Sequence, residues 1–349
     1  MNNVAHGSEE LMPVFDGHND VLLQLWTEHR QNPEHAFLQG PASGQMDLPR
    51  CREAGFAGGL FAAWVPTPDV DLAKTVPDRS VDTQFLLEGT QKHPDFSPTP
   101  SFDFARDVTF GMMAFLLRIE EQSQGKVKIC RTARDIRHSI DNHALAVVMH
   151  IEGAEAIDAD LYNLDVLYSM GLRSLGPVWS RPNIFGHGVP FKYQTSPDIG
   201  PGLTDAGLRL IKACNQKRIM IDLSHLNEKG FWQVAQLSDA PLVASHSNAF
   251  SICPQSRNLT DKQLGAIRES QGFVGLNFAV PFLREDGKRS DDTGTEIMVR
   301  HVDYLVEHLG EDGVGFGSDF DGASMAPFMS DVGGLPVLVE ALRKACLLY

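Results

Sequence analysis

The chain has 349 residues and a net charge of −15, and a single α/β barrel commonly reaches this length, so we expect one domain over residues 1–349. The negative charge argues against nucleic acid or an anionic membrane as a partner, because either would require a basic face. No apolar run is long enough to cross a bilayer, and no signal peptide is recognisable. The five cysteines are scattered without a C-x-x-C pair, which is typical of free thiols in a reducing cytosol, so we predict a cytoplasmic protein.

Short apolar segments alternate with longer helical patterns along the chain. Strands are predicted at 13–16, 58–65, 146–151, 174–178, 219–223, 242–245, 273–278 and 314–317. Helices are predicted at 83–92, 111–124, 161–169, 205–216, 228–237, 261–269 and 296–309, with Thr204 and Thr260 as capping residues. Eight such units favour an α/β fold of the TIM-like (β/α)8 barrel type, with parallel strands, over an open doubly wound sheet.

Two connections between these elements are long. Residues 92–107 are rich in Pro and Ser and are predicted to be a surface excursion. Residues 179–204 follow the fourth strand and are rich in Pro, Gly and aromatic residues. In a barrel this second segment would lie over the active face, so we expect it to cover the substrate.

Polar residues follow five of the eight predicted strands, where a barrel places its active site. His18 and Asp20 follow the first strand, Glu152 the third, His225 the fifth and His246 the sixth. Each alone is a weak signal, but together these imidazole and carboxylate groups would converge on one rim. Such a set favours Zn²⁺, with Mn²⁺ or Fe²⁺ as alternatives, and it exceeds what a single catalytic zinc requires.

The ligands are therefore expected to hold two metal ions. His18 and Asp20 would bind one ion, and His225 and His246 the other. Glu152, from the strand between them, would bridge the two ions.

Two further polar residues on this rim are candidates for handling the substrate. Asp319 follows the eighth strand without a ligand role and could carry a proton, although it could instead cap the following helix. Arg257 follows the His246 loop and could bind a substrate carboxylate in a bidentate fork, or it could be a solvated surface arginine.

Taken as an ordered set, these motifs resemble the membrane (renal-type) dipeptidases, peptidase family M19. The resemblance extends from residue 14 to about residue 343. The motifs that carry it are DGHND at 16–20, EG at 152–153, GLT at 202–204, IDLSH at 221–225, SHS at 245–247 and GFGSDFDG at 315–322.

The resemblance implies a TIM-like barrel with two zinc ions held by the same five ligands. It makes Asp319 the catalytic acid and base, and Arg257 the residue that binds the C-terminal carboxylate of the substrate. Members of the family hydrolyse dipeptides, often accept a D-residue on the C-terminal side and sometimes open β-lactams. Many form homodimers, so a homodimer is a candidate assembly here.

The chain departs from the family pattern at two places. Trp179 stands where animal-type members carry a His that contacts the substrate carbonyl, which indicates a bacterial, cytosolic-type member and makes Trp179 a substrate-binding candidate. His187, in the same loop, is a possible substitute for that His. The chain ends at Tyr349, so we also expect the last C-terminal helices of the barrel to be missing.

The sequence thus predicts a metallodipeptidase that cuts dipeptides into amino acids with a hydroxide bridging two zinc ions. One alternative is another amidohydrolase-type barrel acting on a different small amide, a lactone or a phosphoester. Those barrels usually begin with His-x-His, whereas this chain has His18, Asn19 and Asp20. A second alternative is an inactive, metal-binding homologue.

Overall fold

The barrel is built from parallel strands that follow one another along the chain. The computed structural model describes residues 11–67, 96–290 and 292–347, so the helix predicted at 83–92 lies outside the described residues. The strands are β1 Val14–Asn19, β2 Phe56–Trp64, β3 Val127–Ile129, β4 Leu145–Glu152, β5 Leu172–Gly176, β6 Met220–Ile221, β7 Val243–Ala244, β8 Phe273–Leu276 and β9 Val314–Phe316.

Parallel pairing runs β1-β2-β4-β5-β6 in one sheet and β7-β8-β9 in a second sheet. Two isolated parallel bridges join the sheets, Asp222 with Val243 on one side and Asn19 with Phe320 on the other. The eight strands other than β3 therefore run around a TIM-like barrel, and all eight strands predicted from the sequence are confirmed. The short β3, which was not predicted, pairs with β4 outside this ring.

Helices connect the strands and cover the outside of the barrel. They are α1 Val21–Glu28, α2 Pro33–Gln39, α3 Leu48–Glu53, α4 Phe102–Gln122, α5 Ala133–Asp141, α6 Tyr162–Met170, α7 Asp205–Lys217, α8 Glu228–Leu237, α9 Asp261–Glu269, α10 Val280–Leu283, α11 Thr295–Leu309 and α12 Leu335–Lys344. Among the described residues, no helix is long and apolar enough to cross a membrane.

Local capping explains where several helices begin. The predicted caps Thr204 and Thr260 both accept a backbone N–H, and Thr260 forms a full capping box with Gln263.

The surface excursion predicted over residues 92–107 is wrong at 102–107, because these residues belong to α4. The side chain of Ser101 accepts the N–H of Phe104 and starts this helix nine residues before the predicted position.

The core fills the barrel and the layer between strands and helices. All eight residues of β4 are buried, as expected for a strand of a parallel sheet covered on both faces. After β9, α12 buries Leu338 and Leu342 against this core. The barrel wall is tightly packed near the active rim, because a Cβ added at Gly275 or Gly317 would lie 1.9 Å from the carbonyl oxygen of Ser245.

Candidate active site

The five predicted ligands meet at the C-terminal ends of the barrel strands. His18 lies within β1 and Asp20 directly follows that strand, while Glu152 ends β4. His225 follows β6 and His246 follows β7. All five side chains are buried, so the fold has removed three imidazoles and two carboxylates from water at a single place.

Glu152 lies at the centre of the cluster. Its Oε1 is 2.8 Å from Nε2 of His225, 3.2 Å from Nε2 of His246 and 3.7 Å from Nε2 of His18. The Nε2 atoms of His225 and His246 are only 3.0 Å apart. Glu152 therefore lies between His18 on one side and His225 and His246 on the other.

Three trios of ligand atoms lie at this centre, and within each trio the atoms are no more than 4.8 Å apart. Glu152, His225 and His246 form one trio, and His18, Asp20 and Asp319 form a second. The third, His18 with Asp222 and His246, shares a residue with each of the others. Nε2 of His18 lies 3.2 Å from Oδ2 of Asp20. The structure thus places Asp319 next to His18 and Asp20. The sequence analysis expected Asp319 to lie on this rim without a ligand role, and the structure brings its carboxylate within reach of the predicted ligand atoms.

The donor set fits metal ions on two observations. Nδ1 of His18 and Oδ1 of Asp20 are buried and have no hydrogen-bond partner among the described residues. The two facing imidazole nitrogens of His225 and His246 share one carboxylate oxygen, an arrangement that a cation between them would stabilise. Imidazole and carboxylate together are the ligands that Zn²⁺ accepts in catalytic sites.

A hydrogen-bonded chain orients His246. The hydroxyl of Ser245 donates to Oδ2 of Asp222 at 2.5 Å, so its oxygen is free to accept from Nδ1–H of His246 at 2.8 Å. This pattern leaves the lone pair of Nε2 of His246 facing Glu152. Metal-binding histidines are commonly fixed in this way by a partner on the other ring nitrogen.

The loop after β5 orients His225 in a similar way. Nδ1 of His225 lies 2.7 Å from the hydroxyl of Ser180. The backbone carbonyl of His225 accepts the N–H of Val189 at 2.8 Å. His225 has a φ of 67°, a left-handed conformation that is uncommon outside glycine. These contacts hold that conformation and direct the ring toward Glu152.

His150 lies beside the ligands, on β4, and was not assigned a role from the sequence. Its ring packs edge-on against His18 with centroids 5.4 Å apart, and its Nδ1 lies 2.8 Å from the hydroxyl of Ser174. Burial lowers the pKa of His150 to about 3, although Asp222 acts against this, with Oδ2 3.7 Å from Nε2. A neutral His150 adds no positive charge beside the metal ligands.

Charge is distributed unevenly over the cluster. Burial lowers the pKa values of His225 and His246 well below the usual range, and nearby cationic groups lower them further. Burial would also lower the pKa of His18, but Glu152 and Asp20 outweigh it and raise that pKa to about 10. Without a metal ion, a proton on His18 would compensate the carboxylates, which shows how strongly this centre favours a cation.

Asp319 is placed by the seam between β1 and β9. Its N–H donates to the carbonyl of His18 at 3.0 Å, and its Oδ2 accepts from Nδ2 of Asn277 at 2.9 Å. A Cβ added at Gly322 would lie 2.5 Å from Oδ1 of Asp319 and 2.1 Å from Oδ2 of Asp20. Burial raises the pKa of Asp319 to about 6, and the charge of Asp20 acts in the same direction.

The same seam is fixed from below by Asp16. Its carboxylate accepts the backbone N–H of Ser318 at 2.7 Å and the hydroxyl of Ser318 at 2.8 Å. Ser318 precedes Asp319, and Asp16 precedes His18 by two residues. These bonds therefore bring the strand ends that carry Asp319 and His18 together.

Arg257 is a buried cation and not a surface arginine, since only 3% of it is exposed. Its Nη1 donates to the hydroxyl of Ser247 at 2.8 Å, whereas Nε and Nη2 have no partner among the described residues. Burial lowers its pKa to about 10, against the opposing charges of Asp319 and Glu152. Two of its donors are thus available to an incoming anion.

Trp179 lies at the edge of the ligand cluster. Its ring is 5.8 Å from the ring of His225 and 5.0 Å from that of Trp64. His187, the possible substitute for the absent His, uses Nδ1 to contact the carbonyl of Gly202 at 3.2 Å. Trp179 therefore borders the ligand cluster, while the one hydrogen bond described for the ring of His187 is within its own loop.

Three residues that orient this site were not found from the sequence. Asn277 follows β8, the one late strand for which no polar residue was considered, so the strand-end rule would have found it. Asp222, which acts on His246 through Ser245, lies in the IDLSH motif but was given no role, and Ser180, which contacts His225, lies in the loop after β5 and was not considered.

A parallel barrel whose rim gathers histidines and carboxylates around one glutamate is the architecture of a metal-dependent barrel hydrolase. The family model for membrane dipeptidases, peptidase family M19, matches residues 5–347. The chain therefore belongs to peptidase family M19, a family of metallodipeptidases, and the resemblance predicted from the motifs is confirmed.

Solved structures agree with this assignment. A metallopeptidase from Rhodobacter sphaeroides, liganded with a phosphinate mimic of the dipeptide L-Ala-D-Ala, is 51% identical, with a TM-score of 0.88 over 96% of this chain and 93% of that chain. A dipeptidase described as a metallopeptidase of family M19 is also 51% identical, with a TM-score of 0.87 and the same coverage. A protein of Acinetobacter calcoaceticus named for its place in the PQQ-III 3' region is 43% identical over 298 residues, which are 85% of this chain and 90% of that protein.

Proposed function

We propose that this protein is a metallodipeptidase that uses two zinc ions to hydrolyse dipeptides to free amino acids. The observation that carries the proposal is the convergence of three histidines on Oε1 of Glu152, with Nε2 distances between 2.8 and 3.7 Å. The phosphinate dipeptide mimic bound by the Rhodobacter sphaeroides relative supports a dipeptide as the substrate class.

Two of these trios, Glu152 with His225 and His246 and His18 with Asp20 and Asp319, support two metal positions. His18 and Asp20 would hold one ion and His225 and His246 the other, with Glu152 shared between them. Two divalent ions in such a site act as Lewis acids toward a carbonyl group and lower the pKa of water, which supplies the nucleophile. Zinc is the metal proposed, while Mn²⁺ and Fe²⁺ suit the same ligands.

Asp319 is proposed to carry the proton of the reaction. It would take a proton from the attacking water and give it to the leaving amine as the C–N bond breaks. Its geometry suits this task, because Asn277 holds one carboxylate oxygen at 2.9 Å and the other lies beside Asp20 at the centre. Asp321 lies outside this contact, and its Oδ1 accepts the N–H of Gln45.

Arg257 is proposed to bind the free carboxylate of the substrate. The two N–H donors left without partners would form a fork on it, and their burial would strengthen the bonds. A fixed carboxylate site next to the metal centre would favour substrates of two residues over longer peptides. Trp179 would border the bound substrate beside His225.

The cytoplasmic location and the homodimer stay predictions. The cysteines of the described residues are free, as predicted for a reducing compartment. Gel filtration with light scattering would determine the assembly state directly.

The test is hydrolysis of L-Ala-L-Ala and L-Ala-D-Ala by the purified protein, with bound metal counted on the same sample. Turnover with about two metals per chain, lost with a chelator and restored by Zn²⁺, would support the proposal. C-terminally amidated dipeptides are the matched control, since they keep the scissile bond and lack the carboxylate for Arg257. If the metal-bound protein does not hydrolyse dipeptides but cleaves cyclic amides, lactones or phosphoesters, the dipeptidase proposal is wrong and the amidohydrolase alternative is supported.

A further inference from the structure

Three aromatic side chains form a continuous surface next to the metal ligands, which we call the aromatic wall: Trp179, Phe191 and Phe282. The ring of Phe191 is 5.5 Å from that of Trp179 and stacks on that of Phe282, also at 5.5 Å. One end of the wall adjoins His225, whose ring is 5.8 Å from Trp179 and 6.1 Å from Phe191. The wall was not recognised from the sequence beyond Trp179.

The other end of the wall is fixed beside Arg257. Ser256 donates its N–H to the carbonyl of Lys192 at 3.0 Å and accepts the N–H of Lys192 on its hydroxyl at 3.1 Å. That hydroxyl also donates to the carbonyl of Pro190. Phe191 therefore lies in a segment held on both sides by the residue that precedes Arg257.

Phe282 is held from the opposite neighbour of Arg257. Its carbonyl accepts from Nδ2 of Asn258 at 2.8 Å. The two neighbours of Arg257 in sequence, Ser256 and Asn258, thus hold the segments that carry Phe191 and Phe282, while Trp179 and Phe191 lie beside His225. Phe191 is the partly exposed member of the wall, whereas Trp179 and Phe282 are buried.

We infer that the aromatic wall receives the side chain of the C-terminal residue of the substrate and selects dipeptides in which that residue is apolar. The inference depends on the proposed function, in which Arg257 binds the carboxylate and the scissile bond lies beside His225. In a dipeptide, only the Cα of the C-terminal residue separates the carboxylate from that bond. The side chain on this Cα therefore lies in the interval that the wall covers.

The chemistry of the wall determines its preference. Three aromatic rings offer dispersion contacts and an apolar surface, but no side-chain acceptor for an ammonium and no cation for a carboxylate. An Asp side chain at this position would lose hydration without gaining a partner, and a Lys side chain would regain only part of its lost hydration through a cation–π contact. Apolar C-terminal residues from Ala to Leu should accordingly have the higher kcat/KM.

The inference is tested by kcat/KM for L-Ala-X, with X as Ala, Leu, Asp or Lys in both the L and D forms, in wild type, Phe191→Ala and Phe191→Gln. For the enantiomer that the enzyme prefers, Leu should exceed Asp and Lys in the wild type. Both variants should reduce this ratio about tenfold, the order expected for losing part of a hydrophobic pocket. Phe191→Leu, which keeps an apolar side chain, should retain most of it.

Two controls separate a specificity role from a structural role. Tyr193 lies in the same loop as Phe191, and its hydroxyl donates to the carbonyl of Glu285. Tyr193→Phe removes this hydroxyl and should leave the ratio unchanged. Dipeptides X-L-Ala, which vary the N-terminal residue, should keep their wild-type order in all Phe191 variants. Metal content and Tm on each variant identify any loss of folding, and the Gln variant, which keeps more side-chain volume than Ala, provides a second measurement if the Ala variant is unstable.

The outcomes distinguish the two proposals. If the wild type hydrolyses no dipeptide, the proposed function fails. If it hydrolyses dipeptides but prefers a charged C-terminal residue, or if both polar and small variants keep the wild-type ratio, the wall does not select this residue. A change confined to the X-L-Ala series would place the wall at the N-terminal residue and would also overturn the inference.

Discussion

Replacement of His301 by Gln should remove an acid-sensitive contribution to stability. His301, in α11, is fully buried. Its Nε2–H donates to the carbonyl of Leu283 at 2.8 Å, while Nδ1 accepts the N–H of Ala249 at 3.3 Å. Protonation would place an N–H against the N–H of Ala249, so the folded state requires the neutral imidazole.

The magnitude follows from the pKa of His301. Burial lowers this pKa from its usual 6.5 to about 4. The charge of Arg300 also lowers it, whereas the hydrogen bond to Leu283 raises it. The unfolded chain therefore binds the proton more readily, so stability is complete above pH 6.5 and is lost as the pH falls toward 4. At roughly 1.4 kcal/mol per pH unit, the full loss is about 3 kcal/mol, of which about 2 kcal/mol has occurred by pH 5.

The assay is urea unfolding of wild type and His301→Gln at pH 7.5 and pH 5. Glutamine can accept from Ala249 and donate to Leu283, so it keeps both hydrogen bonds without the titration. Carboxylates, other histidines and metal release affect both proteins equally and cancel in the difference. The free energy of unfolding of the wild type should fall about 2 kcal/mol further than that of the variant. Equal losses in both proteins would refute the reasoning.

Three further predictions concern the site. Asp319→Asn should lower kcat by about 10²- to 10⁴-fold with metal content unchanged, because the amide keeps the shape but cannot carry the proton; full activity would contradict its role. Ser245→Ala removes the partner of His246 and should weaken metal binding about 10- to 100-fold in competition with a chromophoric chelator, whereas Ser251→Ala, on an exposed serine, should not. Arg257→Lys should raise KM for dipeptides about tenfold through loss of the planar fork, with little change in kcat; an unchanged KM would remove Arg257 from carboxylate binding.

The convergence of the proposed metal ligands could be predicted because strand ends are marked in the sequence. Parallel strands buried on both faces are continuous apolar runs, and the chain leaves each of them at the same rim. His18, Glu152 and His246 each lie at or near the C-terminal end of a strand, so listing the polar residues at the strand ends was sufficient to predict that they come together. No long-range contact had to be known in advance.

The residues that orient those ligands could not be predicted in the same way. Asp222 acts on His246 only through Ser245, and Ser180 reaches His225 across 45 positions of sequence. A serine hydroxyl carries no periodic signal, and its role depends on how two strand ends align in space. The aromatic wall could not be predicted for a related reason. Phe191 and Phe282 are 91 residues apart in sequence, and their rings meet because Ser256 and Asn258 hydrogen-bond to the two segments that carry them.

In the proposed function, the loop after β5 connects the substrate-binding residues with the residues that hold the metal ions. It carries Trp179 and Phe191 of the aromatic wall, and it also supplies Ser180 and Val189, which hold His225. His225 keeps a left-handed backbone that costs of the order of 1–3 kcal/mol, so it depends on such contacts to remain aligned. A substrate side chain that packs on the wall would contact the same loop that holds His225, a proposed metal ligand. Loop changes should consequently affect substrate choice and metal affinity together, whereas changes at Arg257 should affect substrate binding alone.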